Sequence, residues 1–194
     1  MALQNRTREA ILQGAKLEIA EVGSYESNMV DISTKAQVSR ATVYNHFADK
    51  EEMILALVES EIERLTKLAQ SAENPKDALV ILSRDISNDK ALAKMRQTDP
   101  SDIAKFVTKT NHPLWELANE SAIKVFGPTN GSLVLHWLIS QIGSPLTDGE
   151  TSMQAEKLAR ALAWELLNYA LALKNIFRTL IPTHEISSMP NLGE

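Results

Sequence analysis

The segment VSRATVYNHFADKEE, residues 38–52, combines hydroxyl, amide, aromatic and cationic side chains on a short stretch of chain. Ala41 and Thr42 are small, so a helix that carries them can approach base edges closely, where a hydroxyl and a methyl group distinguish base pairs. The guanidinium of Arg40 can form paired hydrogen bonds with guanine or with a phosphate. These side chains predict contact with the major groove of DNA.

Other polar residues nearby suit phosphate contacts, which position a protein on DNA without reading its sequence. Asn28 and Ser39 stand at predicted helix starts, where backbone N–H groups can bind anions. Tyr44 and Lys50 are predicted to hold the register on the DNA backbone. His46 has two interpretations, a phosphate contact when protonated or a bridge between helices. The complete predicted DNA-binding set is Asn28, Ser39, Arg40, Ala41, Thr42, Tyr44, Asn45, His46 and Lys50.

Each of these residues also has a purely structural interpretation when taken singly. Tyr44 can be a half-buried packing residue, Lys50 a solvated cation at a helix start, and Ser39 only a helix cap. Their joint order and spacing favour DNA binding over these alternatives.

Three predicted helices position the polar residues. The first ends at Gly23, after apolar residues at helical spacing. The second covers residues 29–36 and the third residues 40–47, where Val43 and Phe47 lie one turn apart and face inward. Three helices within fifty residues, the last two joined by a tight turn, are typical of a helix-turn-helix domain.

The segment 28–50 resembles the tetracycline-repressor (TetR) family of bacterial transcriptional regulators. The residues in the family's order and spacing are Ile32, Ala36, Val38, Ser39, Thr42, Tyr44, His46, Phe47 and Lys50. The resemblance is detailed over about the first sixty residues, and the remainder agrees in length and helix order. It implies a homodimer whose third helices enter successive major grooves of a palindromic operator. It also implies a carboxy-terminal domain that binds a small molecule, with repression as the family's common output.

One position departs from the family pattern. The family usually has glycine where this chain has Gln37, in the turn between the second and third helices. A left-handed backbone is common at this point, and a glutamine in that conformation costs on the order of 1 kcal/mol. The departure puts the conformation of the turn in question.

Residues after position 48 are predicted to form a larger helical body. Asp49 opens a fourth helix with Glu52 at the capping-box position, and Asn74-Pro75 ends it. The further predicted helices cover residues 76–87, 90–97, 101–110, 114–126, 132–142 and 153–177. The predicted fold class is therefore all-α, with a helix-turn-helix domain over residues 1–48 and a helical effector-binding and dimerisation domain over residues 49–194.

The aromatic residues and Met95 predict a largely apolar ligand cavity among the helices between Asp77 and Ile142. The candidate lining residues are Met95, Phe106, Trp115, Trp137 and Tyr169. Each of these is also compatible with plain core packing.

Two carboxy-terminal segments predict self-association. Residues 132–142 are apolar on nearly every side, and the helix over 153–177 carries a wide apolar stripe. This is more apolar surface than one small body can cover, so the segments are expected to pair with their symmetry mates in a four-helix bundle. The predicted interface residues are Leu133, Leu158, Leu162 and Leu166.

Composition restricts the partners, cofactors and cellular location that the sequence predicts. The net charge of −5 argues against a nucleic-acid partner, but residues 1–50 are balanced and residues 37–48 contain no acidic side chain. There is no Cys, and His112, His136 and His184 have no carboxylate at ligand spacing, so no metal or cofactor is predicted. With no secretory signal and no apolar stretch of membrane length, a cytoplasmic location without a membrane partner is expected.

Two other functions stay open at this point. The chain can be a helical dimer that acts through protein contacts without effector control, or an all-helical enzyme that uses scattered carboxylates. It has no G-x-S-x-G elbow, phosphate-binding glycine loop or nicotinamide fingerprint, so no catalytic residue is predicted.

Overall fold

The computed structural model describes residues 2–108 and 112–163, which form ten helices and no strand. The helices are α1 Ala2–Val22, α2 Met29–Lys35, α3 Arg40–His46, α4 Lys50–Gln70, α5 Pro75–Ser87, α6 Lys90–Thr98, α7 Pro100–Thr108, α8 Pro113–Phe126, α9 Gly131–Gly143 and α10, whose described residues are 148–163. The predicted all-α class is confirmed. Among these described residues, none of the helices has the length and apolar character needed to cross a membrane.

Helices α1 to α3 form the head of the molecule. Local capping explains where α2, α3 and the following helix α4 begin. The Asn28 side chain accepts hydrogen bonds from two N–H groups of α2, and the Ser39 side chain accepts one from α3. Asp49 caps α4 by accepting from the N–H of Glu52 at 2.8 Å, while the Glu52 carboxylate accepts from the N–H of Ala48. These bonds satisfy N–H groups that a helix leaves without intrahelical partners.

The start of α10 differs from the prediction. It begins at residue 148, five positions before the predicted start at Met153. Thr147 and Glu150 form a capping box there, in which the Glu150 carboxylate accepts from the N–H of Thr147 at 2.9 Å. The polar cap, rather than the first apolar residue, sets this boundary.

The described residues form two apolar cores, and α4 contributes to both. The head core joins α1, α2 and α3 with Met53 and Leu57 of α4. The body core is formed by α5, α9 and α10 together with Ala69 near the other end of α4. Because α4 runs without interruption between these sites, it links the helix-turn-helix region rigidly to the body.

The crossing of α1 and α2 is unusually close at Gly14. A Cβ placed on Gly14 would lie 2.8 Å from the backbone nitrogen of Ala36 and 2.9 Å from the carbonyl oxygen of Ile32. Only glycine lets the two helices meet at this distance, because the neighbouring atoms belong to the backbone.

Candidate nucleic-acid interface and ligand cavity

Helix α3 has one buried side and one exposed side. Val43 is fully buried and Phe47, directly after the helix, is 2% exposed, so these two residues fix α3 on the head core. The exposed residues of the predicted set on and before the helix are Ser39, Arg40, Ala41, Tyr44 and Asn45, while Thr42 and His46 are half-buried. Packing of the inward pair thus presents the predicted base-reading and phosphate-contacting residues on one surface.

The amino terminus of α3 is organised by the cap. The Ser39 hydroxyl accepts from the N–H of Thr42 at 3.0 Å, and the two hydroxyl groups share a hydrogen bond of 2.8 Å. The Thr42 side chain is therefore oriented before any DNA is present. At the other end of α3, the ring of His46 lies 6.3 Å from that of Phe47.

The turn between α2 and α3 is left-handed at Gln37, where φ is 55°. The N–H of Gln37 donates to the carbonyl of Thr34 at 3.1 Å, and the N–H of Val38 donates to that of Ser33 at 3.0 Å. These bonds cap the carboxy-terminal end of α2 and set the direction in which α3 crosses it. The turn therefore adopts the left-handed conformation with a non-glycine residue.

We expect Gln37→Gly to raise the free energy of unfolding by about 1 kcal/mol, because glycine adopts a positive φ without the steric cost that glutamine meets. Gln37→Ala keeps that cost and serves as the matched control. Urea unfolding of both variants measures the difference. Equal stability of the glycine and alanine variants would contradict the assignment of strain.

Lys50 occupies a position that its sequence context did not predict. Its ammonium group donates to the carbonyl oxygens of Ser24, Tyr25 and Ser27 at 2.9–3.0 Å. These bonds use all three ammonium donors and hold the loop between α1 and α2. The predicted contact between Lys50 and a DNA phosphate would require at least one of them to be exchanged.

Asp99, between α6 and α7, binds the same loop from the body. Its carboxylate accepts from the N–H groups of Ser24 at 2.9 Å and Tyr25 at 3.3 Å, and from the Thr98 hydroxyl at 2.7 Å. Burial acts to raise the pKa of Asp99, but these hydrogen bonds outweigh it and lower the pKa. Gly23 allows the approach, since its φ is 92° and a Cβ there would lie 2.5 Å from the carboxylate.

We expect Asp99→Asn to lower the free energy of unfolding by about 1–3 kcal/mol at pH 7, because it removes a charged acceptor and places an amide donor near other donors. A depressed pKa stabilises the fold above the ordinary carboxyl value near about 4, and this contribution is lost as the pH falls through the lower folded value. In urea unfolding between pH 7 and pH 3, the difference in the free energy of unfolding between the wild type and the variant should therefore decrease as the pH falls. A gap that stays constant over this range would contradict the role of the charge.

A cavity of about 650 Å³ lies between α1 and the helices α4 to α9. Met95, Phe106 and Trp115 of the predicted set line it. Trp137 does not, because its indole N–H donates to Gln154 at 2.9 Å on another side of α9. Tyr169 lies outside the described residues.

The wall formed by α4 was missed by sequence reasoning. Ile54, Val58, Ile62 and Leu65 line the cavity, although their spacing reads simply as the apolar stripe of a core helix. No local signal separates a stripe that covers a cavity from one that is packed solid. The predicted region between Asp77 and Ile142 therefore supplies only part of the lining.

Charged side chains form a network along one side of the cavity, defined here as Lys16, Glu61, Arg64, Asp85 and Asp89. Lys16 binds Glu61 and Asp89, each at 2.8 Å. Arg64 binds Glu61 at 2.8 Å and Asp85 at 2.5 Å. Burial acts to lower the pKa of Lys16, but its two carboxylate partners outweigh it and raise the pKa.

The four leucines assigned to self-association lie in different environments. Leu133 on α9 is 54% exposed, whereas Leu162 on α10 is 6% exposed and belongs to the body core of its own protomer. Leu158 is half-buried against that core. Leu166 lies outside the described residues. Leu162 thus differs from the expected surface position, because α10 turns it toward α5 and α9.

A capped α2, a tight left-handed turn and an α3 exposed along one side define a helix-turn-helix protein. Residues 11–57 match the family described as bacterial regulatory proteins, tetR family. The matched residues run from the middle of α1 into α4 and include the whole helix-turn-helix.

A curated protein is similar to part of the chain. The chain is 31% identical over 104 residues to the HTH-type transcriptional repressor AcnR of Corynebacterium diphtheriae, a match that covers 48% of this chain and 52% of the relative. The match thus spans about half the length of this curated relative.

Solved structures share the fold over a larger part of the chain. The TetR family repressor AlkX from a Dietzia species aligns with a TM-score of 0.60 and 18% identity, covering 80% of this chain and 95% of AlkX. A TetR-family regulator from Mesorhizobium loti aligns with a TM-score of 0.53 and 20% identity, covering 82% and 96% of the respective chains. At this identity the likeness shows the fold.

Proposed function

We propose that this protein is a transcriptional repressor that binds a palindromic operator as a homodimer and is controlled by a small-molecule effector. The observation that carries the proposal is the exposed side of α3, where Arg40, Ala41, Tyr44 and Asn45 lie together opposite a buried Val43. Small and hydrogen-bonding groups suit base edges, and the longer side chains suit phosphates.

Repression is proposed from the likeness to AcnR, whose name describes a transcriptional repressor. In this mechanism the dimer occupies its operator and obstructs transcription until an effector lowers its DNA affinity. A chromosomal DNA target implies a cytoplasmic location.

The cavity supports effector control through its connections to the head. Ile103 and Phe106 of α7 line the cavity, and α7 begins immediately after Asp99, which holds the loop preceding α2. A ligand that displaces α7 can therefore move that loop. The residues of α4 that line the cavity belong to the helix that also enters the head core.

Self-association is proposed through α9 and α10. The outward side of α9 presents Ser132, Leu133, His136 and Ser140, and Met153 of α10 is 50% exposed. Two recognition helices must lie about 34 Å apart, or a multiple of that distance, to read one operator together. A paired body would hold them at such a spacing.

We expect Arg40→Ala to weaken binding to a duplex of random sequence by about tenfold at low salt and to reduce the salt slope by about one unit per protomer. Removal of the guanidinium eliminates one phosphate or base-edge contact in each half of the complex. Fluorescence anisotropy over a series of salt concentrations measures both quantities.

Arg84→Ala on α5 is the matched control for Arg40→Ala, since it removes a guanidinium from a side chain that is 50% exposed in the body and lies outside the helices proposed for self-association. It should leave the affinity unchanged. Unaltered binding by Arg40→Ala, or equal losses in the two variants, would count against α3 as the DNA-binding element.

A further inference from the structure

We propose that the ligand of the cavity is a lipophilic cation, and that its charged group competes with Lys16 for the carboxylates of Glu61 and Asp89. This inference rests on the proposed effector control and specifies its chemistry. Three observations support it: the charges that line the cavity, the carboxylates that already pair with its cations, and the apolar character of the rest of the wall.

The charged lining is predominantly acidic. Among the described residues, the carboxylates that line the cavity are Glu51, Glu61, Asp85, Asp89 and Asp102, against the cations Lys16 and Arg64. A ligand that enters this space therefore meets an excess of negative charge. Because the side chains of Glu61 and Asp89 are only 22% and 12% exposed, their attraction for a cation is less screened than on an open surface.

Each cation of the lining is already paired with two carboxylates. Lys16 is held by Glu61 and Asp89, and Arg64 by Glu61 and Asp85. A ligand carboxylate or phosphate would bring a further negative charge to a network that holds three carboxylates and two cations. A ligand ammonium can instead take the place of the Lys16 ammonium and keep both carboxylates paired, while the Lys16 side chain, which is 23% exposed, turns its own ammonium to solvent.

Two lysines next to lining residues in the described part of the chain do not change this balance. Lys105 binds Asp102 at 3.0 Å and faces solvent, with 67% of its side chain exposed. Lys50 donates to three carbonyls of the loop between α1 and α2. Both ammonium groups already have partners close to the end of the cavity that carries Glu51 and Asp102.

The remainder of the wall requires that the cation carry a large apolar portion. Leu57, Ile62, Leu82, Phe106 and Leu135 are among its aliphatic and aromatic residues. A volume of about 650 Å³ lies within the usual range for small-molecule sites. Hydrophobic burial would supply affinity, while the charged network would select the sign of the ligand's charge.

The position of Lys16 connects this selection to the head. Lys16 lies on α1, whereas Glu61 lies on α4 and Asp89 caps α6. Substitution of a ligand cation for Lys16 removes this ionic link between the head helix α1 and the body. Ligand charge and head position are thereby coupled through the same two carboxylates.

The test is calorimetric titration of the full chain with three probes of equal chain length, decylammonium, decanol and decanoate, below their micelle concentrations. Decylammonium should bind about tenfold more tightly than either other probe. Glu61→Gln should weaken decylammonium binding by about tenfold and leave decanol binding unchanged. Lys16→Met should strengthen decylammonium binding, because the internal competitor is gone.

Glu59→Gln is the matched control, since it neutralises an exposed carboxylate on the same helix that does not line the cavity. Equal or tighter binding of decanol or decanoate, or no binding of decylammonium, would overturn the inference. Unchanged decylammonium affinity in Lys16→Met would overturn the competition. Operator binding is measured on the same samples without probe, so failure of the regulatory function itself appears separately as absent DNA binding.

Discussion

Gly14→Ala is expected to lower the free energy of unfolding by about 3 kcal/mol and to abolish DNA binding. The added methyl group would lie 2.8 Å from the backbone nitrogen of Ala36 and 2.9 Å from the carbonyl oxygen of Ile32. Backbone atoms in a helix cannot rotate away as a side chain would, so α1 and α2 must separate. Because α2 carries the turn into α3, the recognition surface loses its support.

The glycine at position 149 provides a matched control, since a Cβ there meets nothing within 4 Å. Gly149→Ala lies within α10 and should be neutral or more stable, by up to about 1 kcal/mol. Thermal and urea unfolding measure both variants. If the two substitutions had the same effect, the close crossing of α1 and α2 would not limit stability.

Leu162→Glu and Leu133→Glu are expected to act in different ways. Leu162 is buried in the protomer's own core, so a glutamate there should cost at least about 3 kcal/mol and unfold the body. Leu133 is 54% exposed, so Leu133→Glu should leave the fold intact and introduce a charge into the proposed dimer interface. Folded monomers with much weaker operator binding are the expected product.

Circular dichroism and sedimentation separate these two outcomes. Leu133→Glu should keep its helix content and sediment at half the mass of the proposed dimer. Met153, also half-exposed but on α10, offers a second site at which the same substitution should weaken association. A Leu133→Glu protein that remains dimeric would place the interface elsewhere.

Much of the head could be predicted from sequence because its determinants are local. Asn28, Ser39 and Asp49 cap helices within three residues of themselves, and the spacing of Val43 and Phe47 sets the buried side of α3. Such signals need no knowledge of distant parts of the chain.

Features that depend on distant partners could not be predicted. Lys50 reaches carbonyls more than twenty residues earlier in the chain, and Asp99 binds amides more than seventy residues earlier. Trp137 and Trp115 are similar in type and both lie on helices, yet only Trp115 lines the cavity. The direction in which each points is decided by tertiary packing, which periodicity alone does not determine.

The cavity itself illustrates the same limit. A cavity forms where the apolar faces of several helices leave space between them. Each face has an ordinary apolar stripe, so no single segment of the sequence predicts the cavity. The charged network shows this most clearly, since Lys16, Glu61 and Asp89 come from three segments that are far apart in sequence. Their proximity is a property of the assembled fold.

Selection of binding sites from a random pool of duplex DNA, with the purified full-length chain, tests the central claim most directly. The account predicts enrichment of an inverted repeat whose half-sites lie one helical turn apart or a multiple of it, bound by two protomers and weakened by salt. Failure to enrich any sequence, from protein that is folded and dimeric, would contradict the proposal that α3 reads operator DNA.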